Sequence, residues 1–164
     1  MLDPVKCFKI LNIRLGASNF TSVSDVAETV INNERCTVQS RRWVTHEFID
    51  RETQTGTISL LAATVHLGVR LLEAKIDESA GSKPKALYTI EANFIAEFEV
   101  IADDFNETSL RKFLDSNAAH IAWPFWRHHV FVVLQTACLP VIQVPLLAGV
   151  RKLENEQGSL KNDS

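Results

Sequence analysis

Two stretches of strict alternation limit the folds open to this chain. From 88 to 100, Tyr88, Ile90, Ala92, Phe94, Ala96, Phe98 and Val100 hold one parity. Thr89, Glu91, Asn93, Glu97 and Glu99 hold the other, with Ile95 the exception. From 61 to 71, Leu61, Ala63, Val65, Leu67, Val69 and Leu71 alternate with Ala62, Thr64, His66, Gly68 and Arg70. Successive strand side chains point to opposite faces, so each run predicts a strand with one apolar face. A helix competes for 61–71, because Ala and Leu are good helix formers; Gly68 and the regular alternation favour the strand. Between the runs, Asp77 to Ala86 (DESAGSKPKA) has the composition of a hairpin connection. Two such strands make an antiparallel sheet with one dry face and one wet face.

Further strands extend that sheet. KCFKILNIRL, within the first 22 residues, places Phe8 and Ile10 in one phase and Leu11, Ile13 and Leu15 in the next, which predicts a strand with a bulge near Ile10. WVTHEFIDR, Trp43 to Arg51, reads as another strand. Short helices are predicted over Ser24 to Asn33, capped by Ser24, and over Thr108 to Asn117, capped by Thr108.

The stretch Asn117 to Leu147, NAAHIAWPFWRHHVFVVLQTACLPVIQVPLL, reads as a helix that is apolar almost all round, then a turn and an extended apolar segment with two prolines. The helix body is placed at Ala119 to Ala137, with Pro124 in its first turn, where a missing N–H costs nothing, and Leu139-Pro140 closing it. A surface helix on a monomer has one apolar stripe; here Val130 to Leu134 cover every side, so a second cover is required, most simply another subunit. The expected class is α+β: a four-stranded antiparallel sheet packed with one long C-terminal helix and a proline-broken apolar crossover segment. Residues 1–153 form one domain, and 154–164 (ENEQGSLKNDS) are expected to fray.

Composition narrows the function. With 164 residues, 46% hydrophobic and 23% charged, the chain has the makings of a globular core. A formal charge of -3 argues against nucleic acid as partner. The longest apolar run, Val130 to Leu139, is interrupted by Gln135 and Thr136 and falls short of the ~20 residues of a membrane span. The N-terminus lacks the pattern of a secretory leader. Cys7, Cys36 and Cys138 are far apart and odd in number, which suggests free thiols in a reducing cytoplasm. Adjacent helical His128 and His129 point ~100° apart and lack a second ligand pair. No phosphate loop, GxSxG, HExxH or CxxC occurs. The expectation is a protein that is not an enzyme and needs no cofactor or metal.

Together the strands, helix and tail resemble the SecB family of export chaperones. The spacing of Phe8, Ile10, Ile13 and Phe20 is similar to that family's first strand, HIAWPFWRHHV (His120 to Val130) to the segment that opens its main helix, and ACLPVIQVPLL (Ala137 to Leu147) to its apolar crossover. Pro124, Arg127, Pro140 and Pro145 are the firmest anchors. The resemblance implies a cytoplasmic, ATP-independent holdase. It would be a homotetramer, a dimer of dimers joined through the long helices, that holds non-native polypeptide in apolar grooves. The implied peptide-binding residues are Trp123, Trp126, Leu139, Val141, Ile142, Val144, Leu146 and Leu147, with Phe94 and Phe98 on the sheet. The implied oligomer interface is Phe125, Val130, Phe131, Val133 and Leu134. The competing reading as core is the stronger one for Phe94, Phe98 and Phe131, and an even match for the tail residues. The acidic SecA contacts of the export members correspond here to Ala17 and Thr21, and AGVRKL (Ala148 to Leu153) replaces their longer C-terminal helix. These departures fit better the SecB-like chaperones of toxin–antitoxin pairs, with an antitoxin as client; general preprotein export with delivery to SecA is the alternative.

Overall fold

A computed structural model describes residues 4–23, 36–73 and 84–144. A single helical turn, α1 (Pro4–Cys7), leads into four strands: β1 (Phe8–Ser22), β2 (Cys36–Thr53), β3 (Gly56–Glu73) and β4 (Ala86–Val100). They form one antiparallel sheet in the order β1-β4-β3-β2. The two strands with the cleanest alternation are therefore central, and β1 and β2 are the edges. The predicted helix at 24–33 and the connection at 77–83 lie outside the described residues.

The inner face is the apolar one. Leu61, Ala63, Val65, Leu67, Val69 and Leu71 pair with or neighbour Ile90, Ala92, Phe94, Ala96 and Phe98, all nearly inaccessible. The outer face carries polar pairs: Lys9 with Glu99, Arg41 with Glu91 and Arg51 with Glu97. Trp43 stacks on His66 with ring centroids 4.6 Å apart, and His66 is hydrogen-bonded to Thr45 and Asn93. On an exposed sheet face such cross-strand pairs supply most of the local stabilisation, a few tenths to about 1 kcal/mol each.

Two expectations about the strands change in detail. β2 begins at Cys36, not Trp43, because its edge position lets Gln39, Arg41 and Arg42 sit in a strand. β1 has two register shifts, between Ile10 and Asn12 and between Leu15 and Ala17. The first matches the predicted bulge. The second restores the original phase, so that Phe20 again faces inward opposite Ile90. A Cβ on Gly16 would meet the Ile95 side chain at 3.0 Å, so the second bulge sits where only glycine fits easily. β2 and β3 are joined through Gln54 and Thr55, and Gly56 takes φ +129 as the first residue of β3.

The helical part differs more. The two predicted helices form one continuous run: α2 (Glu107–Phe113), a π turn at Leu114–Ala118, and α3 (Ala119–Thr136). Asn106, not Thr108, is the cap. Its side chain accepts from the Ser109 N–H at 2.8 Å, while Ser109 Oγ accepts from the Asn106 N–H at 3.1 Å. This reciprocal pair outcompetes a threonine inside the first turn. Pro124 accordingly lies inside α3 rather than in a first turn, on its exposed side. Ala118, Ala119 and Ala122 are fully buried, and with Ala63, Ala92 and Ala96 on the sheet they let the helix settle close to the inner face.

Candidate functional site

The helical run begins beside α1, approaches β2 and β3 at its π turn, and continues over β4 and β3 as α3. Its oblique path leaves the inner face of the outermost strand, β2, uncovered beyond its first turns. On that face Val38 is 42% and Phe48 52% exposed, with half-buried Val44 and Arg42 and exposed Ser40 and His46 between them. Phe48 stacks on half-buried Phe105 at 6.2 Å, and Phe105 meets Phe8 at 4.9 Å with the rings tilted by 51°. The helix walls this strip. At ~100° per residue, Trp123, Arg127 and Phe131 lie on the flank opposite Phe125, His129 and Val132. The latter three lie on the β1 side, where His129 meets Ser18 at 2.8 Å and Phe94 lies 6.5 Å from Phe125. The result is an open trough floored by β2 and walled by the helix.

The end of α3 turns the chain back onto the core. The Leu139 N–H bonds to the Leu134 carbonyl at 2.9 Å and the Cys138 N–H to the Gln135 carbonyl at 3.1 Å, with Cys138 at φ 54. This pattern closes a helix with a left-handed residue, a place usually taken by glycine. The turn points Leu139 and Ile142 at the core, where both are half-buried, and leaves Val141 47% exposed. Leu146 and Leu147 lie outside the described residues.

The expected site residues separate accordingly. Trp123, Leu139, Val141 and Ile142 retain accessible surface, as do Phe125, Phe131 and Val133 among the expected interface residues. Trp126, Phe94 and Phe98 do not: they are 1%, 4% and 2% exposed, buried between the helix and the sheet. Val144 at 7% is likewise covered. Val130 and Leu134, at 1% and 0%, are core of the single chain and have no surface left for another subunit. The physical reason is the spacing: positions 122, 126, 130 and 134 recur every fourth residue and follow the sheet. Sequence reasoning missed Val38, Val44, Phe48 and Phe105. The first three alternate in β2, but Arg42 and His46 interrupt them, and only the strand order shows that this face is left open; Phe105 lies between β4 and α2 with no periodic signal.

On the β1 side a second groove runs between the strand and α3. Ile10 (43% exposed), Leu15 (47%), Phe125 (48%) and Val132 (41%) crowd a free strand edge. His129 is half-buried there, and burial, then neighbouring His128, holds its imidazole below the usual pKa. Tyr88 presents a different case: its hydroxyl is buried and lacks a hydrogen-bond partner among the described residues, and burial pushes its pKa up. Among the described residues no three His, Cys, Asp or Glu side chains cluster as a metal site, and no helix is long and apolar enough to cross a membrane.

No family model and no curated protein sequence matches the chain. Its fold does match a solved structure, the Mycobacterium tuberculosis Rv1957 SecB-like chaperone in complex with a ChAD peptide from the Rv1956 HigA1 antitoxin. The TM-score is 0.60 at 14% identity, over 90% of this chain and 95% of that one. The fold is therefore SecB-like: a four-stranded antiparallel sheet with a long C-terminal helix.

Proposed function

We propose that this protein is a non-catalytic, ATP-independent chaperone that holds aggregation-prone polypeptide in the trough between β2 and α3. The observation that carries this reading is the uncovered inner face of β2, where Val38 and Phe48 lie open on either side of half-buried Val44. Contiguous apolar surface of this kind marks a binding site on a folded chain, and a trough open along its length accepts extended segments. The structural neighbour carries a bound antitoxin peptide, which supports an antitoxin as the client here. Delivery to SecA has less support, because Ala17 and Thr21 put no charge on the exposed surface of β1.

The second groove suits self-association. The outer edge of β1 is unpaired among the described residues and lies beside Phe125 and Val132, so a homotetramer would cover apolar surface that one subunit leaves wet. Light scattering of a thermally unfolding client tests the holdase reading. The wild type should suppress aggregation at near-equimolar ratio, and Phe48→Glu should lose most of that effect while keeping its melting temperature, since Phe48 is half exposed. No suppression by the wild type would remove the proposal.

A further inference from the structure

Charge is sorted across the sheet. Three of the four outer-face arginines have partners: Arg41 with Glu91, Arg51 with Glu97, and Arg70 with Gln39 at 2.7 Å; Arg14, opposite Ile95, has none among the described residues. The trough holds two arginines of another kind. Arg42, half-buried on its floor opposite Leu67, and Arg127, exposed on its helical wall, have neither a hydrogen bond nor an ion pair among the described residues. His46 on the floor and His120 on the wall add further exposed polar side chains. β2 carries no carboxylate on its inner face between Val38 and Phe48, and α3 contains no Asp or Glu. The chain as a whole is acidic, at -3, so this basic trough does not follow from composition.

A guanidinium that is half desolvated and unpaired is costly to hold, and a carboxylate is the partner that returns most of that cost through charge-assisted, two-pronged hydrogen bonds. We infer that the trough selects extended segments in which aromatic or aliphatic residues are interleaved with Asp or Glu, the apolar residues seating on Val44 and Phe48 and a carboxylate on Arg42 and Arg127. This rests on the chaperone reading above and adds the chemistry of the client.

The test uses fluorescence anisotropy with three labelled peptides that share the same Leu, Phe and Val positions and carry Glu, Gln or Lys between them. The wild type should bind the Glu peptide about tenfold more tightly than the Lys peptide, a gap that narrows in high salt. The double change Arg42→Glu with Arg127→Glu should invert the order while the Gln peptide still binds. Equal affinity for all three, or an order unchanged by the double variant, would overturn the inference and leave the chaperone reading intact. Failure of every peptide to bind the wild type would instead remove both. A third contrary result is a gain for the Glu peptide after deletion of residues 154–164 as large as the loss on changing the arginines. The chain's own acidic tail would then be the partner of the two guanidiniums.

Discussion

At the scale of single residues, two positions carry a cost that their environment makes visible. Cys138 adopts φ 54 to close α3, a conformation that disfavours any residue with a Cβ by about 1 kcal/mol. Cys138→Gly should therefore stabilise the protein by about that amount, read as a higher urea midpoint with unchanged slope. His129 is the second. Its folded pKa lies below the ordinary value of ~6.5 through burial and then His128, so the unfolded chain binds the proton more readily. Stability is thus full above pH ~6.5 and falls as the pH drops through that value. Urea titrations at pH 7.5 and 5.5 should show the loss in the wild type and a smaller loss in His129→Asn, which keeps a polar group near Ser18. An equal loss in both would place the pH dependence elsewhere.

At the scale of elements, alternation made β3 and β4 legible, because both are central and both faces of the sheet impose their period on them. The edges were harder. β1 changes phase twice, and its second bulge at Gly16 lies where small residues blur the period. β2 is exposed over most of its length, so its residues answer to little but the ladder. The helix misled in another way. Its sequence is apolar on all sides, which implies another subunit over Val130 and Leu134 and a client over Trp126. The structure buries all three against the sheet of the same chain. A residue step of four advances ~400° in an α-helix, so the buried row drifts around the axis; the wider π turn at Leu114–Ala118 turns part of that drift back. Much of the apolar circumference thus serves one oblique packing seam. Trp126 should behave as core: Trp126→Ala should cost about 3–5 kcal/mol in chemical denaturation. A loss below 1 kcal/mol would mean that the seam is not what holds the helix down.

At the scale of the whole molecule, the sheet separates two environments. Its outer face is a mesh of partnered charges, and its inner face divides into a sealed core under the helix and two open flanks. The SecB-like architecture was legible from the sequence because it follows from strand count, helix and tail together. Which residues of that architecture stay open was not, since it depends on the strand order and on the angle at which the helix crosses. Site-specific photocrosslinking tests this division most directly. A benzophenone side chain is placed at Val44 or Phe48 on the inner face, or at Thr45 or Trp43 on the outer face of the same strand, and each variant is irradiated with a non-native client. The account predicts crosslinks from Val44 and Phe48 and few from Thr45 and Trp43. Crosslinks of equal yield from both faces, or from the outer face alone, would contradict it.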